Sequence, residues 1–205
     1  AILTFLLFVF SPRFVGHSFN DLKDVNLVTF MAMGLFYMVV FLQDFPKVKV
    51  STMVMLAVSI GLAMAVRVGG LILIAYFGFF GLLRWFFLSR EGRLDGLSKG
   101  AAFGRLVKYG LLTAAGGYLL CVSLWPYAMQ RPIGNVLGAL SSMNAFSISI
   151  RQLFEGSMAM SDTLPWYYTP KFIFMTIPVA VIAGALIYLF TGWGKNNRFF
   201  TFFLL

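Results

Sequence analysis

Ionisable side chains are densest in residues 11–25, SPRFVGHSFNDLKDV, which include the only histidine of the chain. Carboxylates near an imidazole can bind a divalent cation through oxygen ligands, or can position and deprotonate a hydroxyl group. Arginine and lysine can hold a phosphate, and arginine does so through two parallel hydrogen bonds. The alternative is a solvated loop whose charges keep two helices at the membrane surface, and the spacing alone leaves both interpretations open. The side chains concerned are Arg13, His17, Asn20, Asp21, Lys23 and Asp24.

Arg67 is the one charged residue in the apolar stretch 50–83. An arginine inside or near the end of an apolar run is costly in lipid and usually faces protein, water or an anionic partner. The alternative is that its side chain extends to the outer headgroups, as long basic side chains do near helix ends. If Arg67 and residues 11–25 share one side of the membrane, their basic groups could line one anion-binding cavity.

The composition indicates which solvent surrounds these residues. Of 205 residues, 60% are hydrophobic and 11% are charged, and the mean hydropathy is +0.87. A soluble chain is about a quarter charged and under half apolar, so lipid is the predicted solvent for most of this one. The low polarity excludes a disordered chain, and the single Cys121 excludes a disulfide-stabilised secreted domain. The net charge is +9, but the basic residues are dispersed between apolar runs, so no nucleic-acid partner is predicted.

The apolar runs predict an all-α, polytopic membrane helix bundle, because a spanning helix needs about 20 apolar residues. Arg67 and the pair Gly69-Gly70 predict a turn that divides 50–83 into two short spans, since glycine permits a sharp backbone reversal. Both terminal runs are too short to span, so the chain is interpreted as an internal piece of a larger membrane protein. The predicted spans are 1–10 (partial), 27–43, 50–66, 68–88, 106–125, 172–191 with Pro178 inside it, and 199–205 (partial).

The distribution of lysine and arginine, which favour the cytoplasmic side, predicts the orientation. The segments 44–49, 89–105 and 192–198 are predicted to be cytoplasmic, and the outer loops are 11–25 and 126–171, with the turn at 67–70 also outside. If 50–83 were a single tilted helix, every segment after it would lie on the opposite side of the membrane from the one predicted. The long loop 126–171 has apolar residues at positions 133, 136, 137 and 140. This spacing predicts an interfacial helix, which serves either as packing over the bundle or as a wall that guides a lipid substrate.

Three strings resemble a known family. SPRFVGHSFNDLKD, between two apolar runs, resembles the second outer loop of lipid-carrier-dependent glycosyltransferases with the GT-C fold. These enzymes include the protein O-mannosyltransferases and the bacterial enzymes that glycosylate lipid A. GLAMAVRVGGLIL resembles the short paired spans after that loop, and LPWYYTPKFIFMTIP resembles the aromatic and proline-rich entry to a later helix. The strings occur in the order of the family and extend over most of the chain.

The resemblance implies a multi-pass, GT-C-like enzyme of the bacterial inner membrane. Such an enzyme transfers a sugar from a polyprenyl-phosphate carrier to an acceptor protein or glycolipid on the outer side, in contact with membrane lipid. No cofactor is firmly implied, although the acids are compatible with a divalent cation. The main catalytic acid of the family lies in the first outer loop, which would precede Ala1.

The resemblance also implies roles for individual residues. Asp24 matches the acid of the second outer loop. Asp21 is the alternative, because this chain has Asp-Leu-Lys-Asp where the family pattern has Asn-Pro-Lys-Asp. His17 lies in the same motif and is a further catalytic candidate. Contacts to the carrier phosphate or to the acceptor are implied for Arg13, Lys23 and Arg67.

Two other functions fit the sequence, a non-catalytic membrane subunit and a secondary transporter. The short, glycine-interrupted spans at 50–83 favour the transporter, because broken helices often line transport sites. The sequence has no phosphate-loop lysine motif, no HExxH and no CxxC pair. ATP-driven transport and cysteine-ligated metal chemistry are therefore not predicted.

Overall fold

A computed structural model of the protein describes residues 10, 12–144, 149–177 and 179–192. The described chain is mostly helical, and it divides into two compact units, residues 1–142 and 143–205. The first unit contains α1 (Pro12–Asn20), α2 (Leu22–Asp44), α3 (Val50–Val66), a 3-10 turn (Val68–Leu71), α4 (Ile72–Glu91), α5 (Lys99–Leu124), α6 (Pro126–Gln130) and α7 (Gly134–Asn144), which ends at the unit boundary. The second contains β1 (Arg151–Phe154), β2 (Ser157–Met160), α8 (Tyr168–Thr176) and α9 (Val179–Gly192).

Within the described ranges, three helical stretches are long and apolar enough to cross a membrane: Lys23–Asp44, Val68–Glu91 and Lys99–Leu124. They expose large apolar side chains, such as Phe36 and Leu119, at 62% and 68% of their surface. Apolar helices with that exposure are expected where lipid is the solvent. The coarse prediction of a helical protein with membrane-spanning helices is supported to this extent, and the GT-C arrangement stays a prediction.

Helix α3 is the centre of the first unit and packs against both α2 and α5. It is a shorter apolar helix of 17 residues. Glycines let it approach α5 closely: a Cβ added to Gly61 would lie 2.7 Å from the carbonyl oxygen of Gly117, and one added to Gly117 would lie 2.9 Å from the carbonyl oxygen of Ala57. Small residues at such contacts are typical of helix pairs in membranes.

Successive reversals of the chain give the first unit two ends. The "Arg67 end" comprises the start of α2, the 3-10 turn and the end of α5, where Val68 packs with Ala128 and Val136 of the following helices. The "Lys47 end" comprises residues 45–49 and 92–98. There, Lys47 Nζ lies 3.2 Å from Asp95 Oδ2. The ion pair at this end joins two connections that the sequence analysis assigns to one side of the membrane.

The break between α3 and α4 lies at the position predicted from Arg67 and the glycine pair. Gly70 is required there, because a Cβ on it would lie 2.6 Å from the carbonyl carbon of Ala63 and from the amide nitrogen of Met64. Glycine therefore lets the 3-10 turn fold back onto the last turn of α3.

The described part of the segment predicted as an outer loop, residues 12–25, is mostly helical: α1 and the first residues of α2 occupy it. The helices are separated by Asp21, whose backbone is non-helical at φ −133° and ψ 83°. The charged side chains therefore lie on helical backbone on both sides of one break. Many polar residues suggested a loop, but polar residues are also expected at the ends of helices near a membrane surface.

The predicted span 172–191 is divided into α8 and α9, with extended backbone at Ile177 (φ −77°, ψ 128°). The residue before a proline is pushed out of the α region, and Pro178 follows Ile177 in the sequence. The purely helical prediction also misses β1 and β2, an antiparallel hairpin that pairs Arg151 with Met160. Residues 1–9 and 193–205 lie outside the described ranges, so the partial spans predicted at the two ends of the chain stay predictions.

Candidate functional site

Asp24 and Arg67, which the sequence analysis selected from two separate segments, meet in the structure. Nη2 of Arg67 lies 2.9 Å from Oδ1 of Asp24. The side chains are 44% and 43% exposed, so the pair is partly packed and partly accessible. A carboxylate and a guanidinium thus lie together at the Arg67 end of the first unit.

The backbone around Arg67 explains the position of its side chain. Arg67 is extended, with φ −148° and ψ 137°, between the end of α3 and the 3-10 turn. Its N–H donates to the carbonyl of Ala63 at 3.0 Å, and its own carbonyl accepts from the N–H of Gly70 at 2.9 Å. These bonds on both sides of the residue fix the point at which the guanidinium leaves the turn.

Asp24 lies in the first turn of α2. Its N–H donates to the carbonyl of Asp21 at 3.2 Å, which closes the start of the helix. A carboxylate in a first turn is stabilised by the partial positive charge of the helix N-terminus. Asp24 therefore has two sources of positive potential, the end of α2 and the guanidinium of Arg67.

The other predicted site residues lie near this pair in the chain. Asp21 is half-buried at the break before α2, and the side chain of Lys23 is exposed. Arg13 and His17 belong to α1, and their side chains are outside the described part of the structure. The structure thus brings Asp24 and Arg67 into contact and joins Asp21 to them through the backbone, and the roles of all six residues stay predictions.

The Asp24–Arg67 ion pair is better suited to binding or reacting with a ligand than to stabilising the fold. A partly exposed ion pair contributes only about 0–1 kcal/mol to folding. A guanidinium has five N–H donors in a planar fork that matches phosphate oxygens. Its positive charge beside a carboxylate suits the binding of an anion next to a hydroxyl group that the carboxylate orients.

Within the described ranges, no group of three or more His, Cys, Asp or Glu residues could hold a metal ion. A single carboxylate with a guanidinium partner is a poor metal site, because the arginine repels the cation.

Sequence reasoning missed Arg84 as an individual residue. It lies in the second half of α4 and is 7% exposed, and its Nε donates to the carbonyl of Leu42 at 2.9 Å. Helix ends leave carbonyls without a partner inside the helix, and Leu42 is in the last turn of α2. An arginine within the apolar run LLRWFFL was the available signal for a buried cation with a protein partner.

Comparisons of the chain with protein-family models, with curated proteins and with solved structures find no match. Within the described ranges, the fold and the site define a helical protein with three helices long and apolar enough to cross a membrane and a partly exposed ion pair at one end of its first unit.

Proposed function

We propose that the protein is a multi-pass glycosyltransferase of the bacterial inner membrane. It would transfer a sugar from a polyprenyl-phosphate carrier to an acceptor protein or glycolipid on the outer side. The observation that carries the proposal is the 2.9 Å contact between Asp24 and Arg67. Their two segments resemble neighbouring parts of the GT-C family, and the contact supports a joint role for them.

In the proposed reaction, an acceptor hydroxyl oxygen attacks the anomeric carbon of the carrier-linked sugar. The bond between that carbon and the phosphate oxygen breaks, and polyprenyl phosphate leaves with the electron pair. The hydroxyl proton passes to a carboxylate, for which Asp24 is the candidate here and Asp21 the alternative. Arg67 stabilises the charge on the departing phosphate, which is the kind of electrostatic assistance that contributes most to such reactions.

The reaction needs the Arg67 end on the outer side, where the carrier presents its sugar. The distribution of basic residues supports this orientation, because lysine and arginine residues are numerous at the Lys47 end and cytoplasmic loops carry an excess of them. The residues at or next to the Lys47 end are Lys47, Lys49, Arg90, Arg93, Lys99 and Arg105.

The test is to measure carrier-linked sugars in lipid extracts from cells that lack the protein and from cells that make it. Loss of the protein is expected to raise the amount of one polyprenyl-phosphate sugar several-fold. Expression of the native protein in the same cells is expected to return that amount to its original level. Asp24→Asn and Arg67→Gln should each slow turnover by about 100-fold or more, because each removes a charge that acts in the transition state.

Asp95→Asn is the matched control, since it removes the carboxylate of the ion pair at the opposite end, 3.2 Å from Lys47. It should leave turnover unchanged. If carrier-linked sugars are unaffected by loss of the protein, the proposed function is wrong. If both site variants restore the native amount, the site assignment is wrong. Asp21→Asn, measured in the same way, decides which acid acts.

A secondary transporter or a non-catalytic subunit is the second candidate. The observation in its favour is the short helix α3, which ends at Val66 and is followed by the extended residue Arg67 and a 3-10 turn. Interrupted helices of this kind line transport sites in several transporter folds. Unchanged carrier-linked sugars in the experiment above would favour this candidate.

A further inference from the structure

The hairpin of the second unit has two chemically different faces. In the register, Arg151 pairs with Met160 and Leu153 with Met158, while Gln152 pairs with Ala159 and Phe154 with Ser157. Because side chains alternate between the faces of a strand, and paired residues share a face, the first two pairs are on one face and the last two on the other. We call the face with Arg151, Leu153, Met158 and Met160 the "outward face".

The opposite face is attached to α8. Phe154 is 9% exposed and packs edge-on against Tyr168, with ring centroids 5.0 Å apart. The hydroxyl of Tyr168 bonds the amide oxygen of Gln152, and Lys171 pairs with Glu155 in the hairpin turn. The turn residues Glu155 and Gly156 have φ values of 52° and 79°, which a tight hairpin turn requires. These contacts hold the hairpin in one orientation on the helix.

The outward face exposes its apolar side chains. Leu153 is 67% exposed, Met158 74% and Met160 38%, and Arg151 beside them is exposed. In a half-buried hairpin, apolar residues normally face the core and polar ones the solvent. Here both faces carry large apolar side chains, so the outward face needs a cover of its own.

The rest of the second unit indicates that the cover is lipid. Its helices expose large apolar side chains, among them Met175 at 73% and Val179 at 80%. Trp166, between the hairpin and α8, is 88% exposed, and tryptophan is enriched at the headgroup level of membranes. The one basic residue of the outward face, Arg151, provides a positive charge beside the apolar side chains, as in elements that lie on anionic lipid surfaces.

We propose that the hairpin is a membrane-surface anchor, with Leu153, Met158 and Met160 inserted at the boundary of headgroups and acyl chains and with Arg151 at the lipid phosphates. The helix predicted from the apolar residues of the long outer segment corresponds in position to α7, and the proposal assigns the membrane surface to the β-hairpin that follows it. It does not depend on the glycosyltransferase reaction, since it uses none of the residues of the Asp24–Arg67 site.

The anchor is tested with an environment-sensitive fluorophore on a single cysteine, Met158→Cys, in a Cys121→Ala background. The protein is reconstituted in phosphatidylcholine vesicles with and without phosphatidylglycerol. Ser157→Cys is the matched control, because Ser157 is exposed, adjacent in sequence and on the opposite face. We expect brominated lipids to quench the label at 158 several-fold more strongly than the label at 157, and aqueous iodide to show the reverse order.

Two results would overturn the proposal. Equal quenching of both labels by iodide would mean that the outward face lies in water. Protection of the label at 158 from both iodide and brominated lipids would mean that protein covers the face. If Arg151 lies at the lipid phosphates, phosphatidylglycerol should increase quenching by brominated lipids at 158, and Arg151→Gln should remove that increase. Intact assembly of each variant is checked by its elution as the native species in gel filtration.

Discussion

At the scale of single residues, two positions of the site could be selected from the sequence, but their contact could not. Asp24 and Arg67 attracted attention for different reasons, one as an acid in a polar cluster and the other as a lone charge in an apolar run. Their distance depends on how α2 and α3 pack and on the angle of the 3-10 turn. The packing and the angle depend on side-chain contacts between helices, and neither the polar cluster nor the apolar run contains information on such contacts.

Arg84 gives a prediction at this scale. Replacement by Gln removes the Nε donor that bonds the carbonyl of Leu42 and leaves that buried carbonyl short of a partner. We expect a loss of about 2 kcal/mol in the free energy of unfolding, the usual cost of a buried polar group without its partner. The measurement is denaturant unfolding of the protein in detergent micelles.

Arg93→Gln is the control for this experiment. It makes the same chemical change at an exposed arginine, whose Nη1 lies 3.3 Å from Glu91 in a pair that is 64% and 50% exposed. Its effect should be within about 0.5 kcal/mol, as for most surface changes. Equal stability of both variants would mean that the bond of Arg84 to Leu42 contributes nothing.

At the scale of elements, a break between two helices could be predicted from the sequence where a residue type requires one. Breaks and strands that depend on weaker signals were not predicted. A charge and two adjacent glycines defined the break between α3 and α4. The break at Ile177 was missed because proline within an apolar run was read as tolerated in a spanning helix. The hairpin was missed because strands of four residues give too few alternations to stand out from an apolar background.

The close approach of α3 and α5 gives a prediction for Gly117. An added Cβ would lie 2.9 Å from the carbonyl oxygen of Ala57 and 2.9 Å from Cγ2 of Ile60, so Gly117→Ala must push the two helices apart. Overpacking of this kind costs about 1–3 kcal/mol. We expect a corresponding fall in the unfolding free energy in micelles.

Gly104→Ala is the control on the same helix, because nothing lies within 4 Å of an added Cβ there. Alanine is the better helix former by about 1 kcal/mol, so this variant should be as stable as the native protein or more stable. If both alanine variants have the same stability, the contact between α3 and α5 is looser than the structure describes.

At the scale of the whole molecule, the ion pair at 24 and 67 constrains the topology of the first unit. It joins the start of α2 to the end of α3, so both points must be at one membrane face if the helices cross. Helix α3 has 17 residues, about 26 Å at 1.5 Å per residue, which is near the lower limit for a hydrocarbon core of about 30 Å. Because the ion pair holds the start of α2 and the end of α3 at one face, α2 and α3 must either both cross or both turn back within the membrane.

Accessibility to a membrane-impermeant thiol reagent tests the resulting orientation. Lys23→Cys at the Arg67 end and Arg93→Cys at the Lys47 end are exposed positions, whereas the native Cys121 is buried. In intact spheroplasts the cysteine at 23 should react, and the one at 93 should react only after the membrane is permeabilised. This order follows from the excess of basic residues at the Lys47 end.

Reaction at 93 but not at 23 in intact cells would place Asp24 and Arg67 on the cytoplasmic face. A carrier that presents its sugar outside could not reach them, and the transfer reaction would have to be abandoned even though the ion pair were intact. Reaction at both positions would mean that positions 23 and 93 share one side of the membrane, which, with Asp24 and Arg67 held at one face, requires that α4 does not cross. The side of the membrane that the Arg67 end faces thus determines whether Asp24 and Arg67 have access to the proposed substrate.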